Sequence, residues 1–174
     1  MRAFDRPGRS PVIAENGMAA TSHPLATASA LAVLKEGGNA VDAALAASAT
    51  LCVVEPHMTG IGGDCFVILA EPDGTIHGLN GSGRAPAAAD AALYRERGLA
   101  AMPQTGALAV TVPGAIDAWA RLSERFGTLP FERLFADAIR YAEEGFPVHA
   151  RVARDWRTVA DALAADPGCA RHCL

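Results

Sequence analysis

Histidines, cysteines and one glycine cluster are the residues of this chain whose types and spacing invite chemistry. The cluster is the stretch Glu55-Pro56-His57-Met58-Thr59-Gly60-Ile61-Gly62-Gly63-Asp64, set between an alanine-rich run and an apolar strand-like run. Glycine tolerates positive φ and lets another backbone or a ligand come close, so such a cluster marks a tight packing contact or a site. Gly60-Ile61-Gly62-Gly63-Asp64-Cys65 begins like a dinucleotide fingerprint. Its last required glycine is Cys65, however, and the order is helix, loop, strand instead of strand, loop, helix. A phosphate-binding Gly-Lys-Ser or Gly-Lys-Thr is also missing, Lys35 being the single lysine. The loop is therefore expected to be structural.

His23 precedes Pro24 and His57 follows Pro56, positions at helix boundaries where capping and packing employ histidine. Neither has a nucleophile nearby in sequence, and no serine nucleophile elbow is present. Cys52 and Cys65 fall inside apolar runs, where a reduced thiol acts as a small hydrophobe. Cys169, His172 and Cys173 offer three zinc-ligand types close together, but a structural zinc site needs four ligands and no second cluster supplies the rest. No catalytic residue, no metal site and no cofactor is expected within this chain.

The elements that must position these residues follow from caps and periodicity. A first helix is expected to begin at Thr21 or Ser22, with Pro24 in its first turn, and to end at Gly37-Gly38. Asn39 then caps a second helix to about Val53, with Asp42 reaching back as the acidic partner of a capping box. Alanines at 43, 44, 46, 47 and 49 make that helix apolar nearly all round, hence buried. Cys65 to Ala70 and Thr75 to Asn80, joined through Pro72 and Gly74, read as a β-hairpin. The first strand is continuously apolar, which predicts burial on both faces. Asp90 caps a short helix through Arg97, and residues 101–112 are expected to be irregular. Three helices follow: one burying Ile116, Trp119, Leu122 and Phe126 up to Gly127; one burying Phe131, Leu134, Phe135, Ala138 and Ala142 up to Gly145; and one carrying Val152, Trp156, Val159 and Leu163 that Pro167 and Gly168 stop.

The 174 residues are 51% hydrophobic and only 20% charged, which is enough apolar material for a globular core and argues against disorder. A net charge of −4 excludes the clustered positive surface that nucleic-acid binding requires. No run approaches a membrane span, and the charged start from Met1 to Pro11 has no apolar segment behind it, so a cytoplasmic location is expected. No repeat, low-complexity tract or linker divides the chain, so residues 1–174 are expected to form a single unit.

Three upstream stretches, Met18-Ala19-Ala20-Thr21-Ser22-His23-Pro24-Leu25-Ala26, Gly37-Gly38-Asn39-Ala40-Val41-Asp42-Ala43-Ala44 and the glycine loop, resemble the start of the large subunit of the γ-glutamyltranspeptidase family. Asn80-Gly81-Ser82-Gly83-Arg84-Ala85-Pro86, Val112-Pro113-Gly114-Ala115 and Ala142-Glu143-Glu144-Gly145-Phe146-Pro147-Val148 continue the resemblance in the same order. The resemblance implies an α/β fold, the N-terminal portion of an αββα N-terminal nucleophile hydrolase, helix-rich with a β-hairpin from the central sheet. It implies a partial domain completed by a C-terminal region and small subunit whose threonine, beyond Leu174, attacks a γ-glutamyl amide for transfer to water or an amino acid. It also implies substrate contact at Ser82 and Arg84. In the typical transpeptidase this place reads Asp-x-Arg-Glu-x-Ala-Pro, and its arginine holds the α-carboxylate of the γ-glutamyl group. Aligned on Ala85-Pro86, that arginine falls on Ser82, and the charge reappears at Arg84. In an extended segment, residues two apart face the same way about 6–7 Å apart, so Arg84 would reach the same pocket. A structural ion pair is the other role open to Arg84. The Asn-Gly-Ser-Gly-Arg form is similar to the glutathione-hydrolase-like and cephalosporin-acylase-like branch, which leaves an acylase-type amidohydrolase of the same fold as an alternative; a non-catalytic binding module that uses the large-subunit scaffold without a nucleophile is the other.

Overall fold

The computed structural model describes residues 11–173, with the side chain of Cys173 outside the described set. The expectation drawn from the charged start therefore lies, for residues 1–10, outside the described residues. Helices α1 (Pro24–Lys35) and α2 (Ala40–Val54) lead to strands β1 (Cys65–Ala70) and β2 (Ile76–Gly81). There follow α3 (Ala91–Glu96), α4 (Ala115–Phe126), α5 (Ala136–Glu144), α6 (Ala150–Ala164) and α7 (Pro167–Cys173), with 3-10 turns at Ala107–Ala109 and Phe131–Phe135.

Helices α1 and α2 form a tight pair because the joint between them is fully satisfied. The Gly38 N–H bonds the Val33 carbonyl and the Gly37 N–H bonds the Leu34 carbonyl, with Gly37 at φ +94°, a left-handed residue that closes the end of α1. Asn39 Oδ1 then accepts from the N–H groups of Val41 and Asp42, while Asp42 Oδ2 accepts from the Asn39 N–H, giving the expected capping box. Val41, Leu45, Ala46, Ala47, Ala49 and Val54 of α2 are buried, together with Ala26, Ala30 and Val33 of α1. Trp119 and Leu122 of α4, Leu134 and Ala138 complete this core.

Several local expectations are corrected. The cap of α1 is His23, whose Nδ1 accepts from the Leu25 N–H at 3.2 Å. The hydroxyls expected to cap are engaged elsewhere: Thr21 donates to the His23 carbonyl and Ser22 to Glu55. Phe131 to Phe135 wind as a 3-10 turn and α5 starts only at Ala136. On α4, Ile116 is exposed while Trp119 and Leu122 are buried. Pro167 does not stop α6, which ends at Ala164; it opens α7, where a missing N–H and a preset φ suit a first helical position.

The hairpin pairs Cys65 with Gly81 through Ala70 with Ile76, antiparallel. One face, Cys65, Val67, Leu69, His77, Leu79 and Gly81, is half-buried and turned toward α4. The other face is open, with Phe66 64% and Ile68 84% exposed. Burial of β1 on both faces is thus overturned in this structure. Among the described residues the sheet has two strands, and packing covers one side of it.

Candidate functional site

The arm that leaves β2 carries both residues expected to contact substrate, and backbone contacts hold it. The Thr111 hydroxyl donates to the Ser82 carbonyl at 3.2 Å, and the Val112 N–H donates to the Arg84 carbonyl at 2.9 Å. Between them Gly83 has φ +74° and lies so close to residue 112 that a Cβ would sit 1.8 Å from the Val112 oxygen. A Cβ on Gly114 would fall 2.4 Å from the Gly81 oxygen, and one on Gly81 2.6 Å from the Ala118 Cβ. Gly83 and Gly114 are glycine because backbone meets backbone there, and Gly81 because the Ala118 methyl of α4 packs onto it.

The glycine loop closes the same junction. The Gly63 carbonyl accepts from the N–H groups of both Gly114 and Ala115, at 3.0 and 3.1 Å, satisfying donors at the start of α4 that no side chain caps. End of β2, arm and α4 are therefore one backbone assembly, which the loop joins through the Gly63 carbonyl; Gly60 and Gly62 have neither positive φ nor an atom within 4 Å of an added Cβ, so the close approach expected of the cluster is not made there among the described residues.

Ser82 and Arg84 are brought to this assembly but not to one face of an extended segment. The left-handed turn at Gly83 interrupts the period of two on which that geometry depended. Ser82 is half-buried, its N–H bonded to Asn80 Oδ1, whereas Arg84 is exposed and makes no ion pair with a described residue. The guanidinium is thus presented at the surface while its own backbone is fixed.

A polar cluster not expected from sequence lies where the start of the glycine loop meets α6. A cavity of about 450 Å³ is lined by residues including Ser22, Glu55, His57, Thr59, Arg151 and Asp155. The Ser22 hydroxyl donates to Glu55 Oε2 at 2.5 Å, and His57 Nε2 lies 3.7 Å from Asp155 Oδ2. The Arg151 guanidinium, donating to Asp155 at 2.6 Å, holds that carboxyl below the usual carboxylate range. Ser22 and Glu55 are 33 residues apart, and no local pattern links them. Among the described residues no group of three or more His, Cys, Asp or Glu is arranged to hold a metal ion. Burial pushes the Cys52 and Cys65 thiols up, keeping both in the protonated form of an inert core cysteine.

A helical layer on one face of an antiparallel hairpin, joined to it by a glycine loop, is the N-terminal portion of an αββα N-terminal nucleophile hydrolase. The gamma-glutamyltranspeptidase family model matches residues 26–173, and the chain belongs to that family. It is 40% identical to an oxamate amidohydrolase proenzyme of Klebsiella pneumoniae, over 90% of this chain and 30% of that protein. It is 36% identical to glutathione hydrolase proenzyme 1 of Schizosaccharomyces pombe, over 83% of this chain and 23% of the relative. Among solved structures, cephalosporin acylase from Bacillus halodurans superposes with a TM-score of 0.84 and 45% identity, over 94% of this chain and 31% of the other. Helicobacter pylori gamma-glutamyltranspeptidase superposes with a TM-score of 0.85 and 29% identity, covering 92% and 47%. The chain spans about 30% or less of the length of these two curated relatives. Among the described residues no helix is long and apolar enough to cross a membrane.

Proposed function

We propose that the complete protein carrying this chain cleaves γ-glutamyl or related small amides, passing the acyl group to water or to an amino acid. Its nucleophile and oxyanion donors come from a C-terminal region and small subunit of the family type, and these residues supply scaffold and one wall of the pocket. The observation that carries the reading is the fixed arm at the family's substrate-contact position, with an exposed guanidinium at Arg84. In this reading Arg84 takes over the carboxylate contact of the arginine displaced by Ser82. A planar guanidinium suits that task because it binds a carboxylate through two parallel hydrogen bonds.

An acylase-type substrate is the second reading, supported by Ser82 at the place of the family arginine and by the 45% identity to the Bacillus halodurans acylase. The two separate on a panel of γ-glutamyl-p-nitroanilide, glutaryl amides and oxamate given to the complete protein. If Arg84 binds the α-carboxylate, Arg84→Ala raises KM for the γ-glutamyl substrate about ten- to a hundredfold, the equivalent of roughly 1.5–3 kcal/mol for a hydrogen bond to a charged group. An unchanged KM with a lowered melting temperature makes Arg84 structural. Turnover of glutaryl amides or oxamate without γ-glutamyl turnover selects the second reading.

A further inference from the structure

We propose that His23 and His149 form an acid-released latch that holds the start of α6 against the start of α1. Each histidine caps its helix in the same way. His23 Nδ1 accepts from the Leu25 N–H at 3.2 Å, and His149 Nδ1 accepts from the Arg151 N–H at 3.2 Å. An imidazole nitrogen accepts only when it carries no proton, so each cap requires a ring whose proton is on Nε2. The rings meet edge to face, 5.5 Å between centroids at 66°, so the two caps are also the contact between the two helix ends. His23 is 2% exposed, and its Nε2 has no hydrogen-bond partner among the described residues.

One proton on either ring has two unfavourable effects, and a proton on the other ring adds a third. Nδ1–H would face the N–H it now accepts from, the cation would sit at the positive end of a helix dipole, and a second protonation would set two like charges in contact. Serine, threonine or asparagine caps have no such dependence, since they do not titrate near neutrality.

The surrounding charges act in both directions. Glu55, the C-cap of α2, favours the charged form of His23, but burial opposes it more strongly and His149 adds to the opposition, so the His23 pKa lies below its usual 6.5. From α6, Asp155 is occupied by Arg151. His57 in the loop, 3.7 Å from Asp155 and edge-on to Trp156 at 6.0 Å, would bind α6 more firmly if protonated. The sign for His23 is that of a depressed base. Its stabilisation is complete above pH 6.5 and is lost as pH falls from there through the lower folded value.

The test is amide hydrogen exchange on the 174-residue chain, corrected for intrinsic rates, from about pH 7.5 to about pH 5. Protection in the first turn of α6 is expected to fall at least about fivefold, the loss of one cap. His23→Asn with His149→Asn, which caps without titrating, should keep protection across the range, and His57→Gln should leave the transition in place. Imidazole nitrogen NMR of the unaltered chain supplies a measurement independent of any variant, with both rings expected as the Nε2–H tautomer at neutral pH. Constant protection, an equal loss in the double asparagine variant, abolition of the transition by His57→Gln, or a proton on Nδ1 of either ring at neutral pH would each overturn the latch.

Discussion

Replacing Asp42 should be among the most damaging single changes in this chain. Its carboxylate is fully buried. It accepts from the Asn39 N–H at 3.0 Å, from the Thr128 hydroxyl at 2.5 Å and, through both oxygens, from the Thr128 N–H at 3.1 and 3.2 Å. One side chain thus completes the cap of α2 and ties it to the turn after α4, a turn that Asn39 also holds by donating to the Phe126 carbonyl. Asp42→Ala orphans two backbone donors, each about 1–3 kcal/mol when left unsatisfied. They share one acceptor and relax together, so the sum is less than additive, about 3 kcal/mol. That is a large share of the roughly 5–15 kcal/mol that holds a domain folded. Asp42→Asn keeps one accepting oxygen and should lose about half as much. Urea unfolding followed by circular dichroism measures both. A loss below about 1 kcal/mol in the alanine variant, or equal losses in the two, would refute the network as the source of stability.

Gly83→Ala should destabilise much more than Gly74→Ala, because both glycines have positive φ but only Gly83 meets another backbone. Gly74→Ala should lose roughly 1–2 kcal/mol for the left-handed conformation alone, with the larger Gly83 loss read by thermal melting, and comparable losses would remove the contact argument. The 174-residue chain should self-associate through the open face of the hairpin, and Ile68→Lys should shift sedimentation toward monomer, while a chain already monomeric counts against that reading.

The parts of this fold legible in sequence are those whose causes lie within a turn or two. The Asn39 and Asp42 capping box, the buried alanine face of α2 and the hairpin are set by neighbours three or four residues away or by apolar runs joined through turn residues. The hydroxyls of Thr21 and Ser22 misled because intrinsic cap preference says nothing of a competing partner; Ser22 is drawn to Glu55. An apolar strand records what a sheet can cover, not how many layers meet it, so β1 is apolar on a face that the described residues leave open. At the candidate site the residue types Ser82 and Arg84 were legible, together with their shared segment. Their orientation was not, since it depends on a left-handed glycine pinned by residues 111 and 112. The Asp42 bond to Thr128 spans 86 residues, beyond any local pattern.

The junction of Gly81, Gly83 and Gly114 has a genetic consequence. A clash between two side chains can be relieved by shrinking the partner, so compensating mutations exist for most core substitutions. At this junction the atoms that a Cβ on Gly83 or Gly114 would strike first are peptide oxygens and nitrogens, which every residue type carries. No replacement at the opposing position can make room. Damage from substitution at Gly83 or Gly114 should therefore yield true reversions and not second-site suppressors at the contact, leaving the arm's geometry outside the reach of pairwise drift.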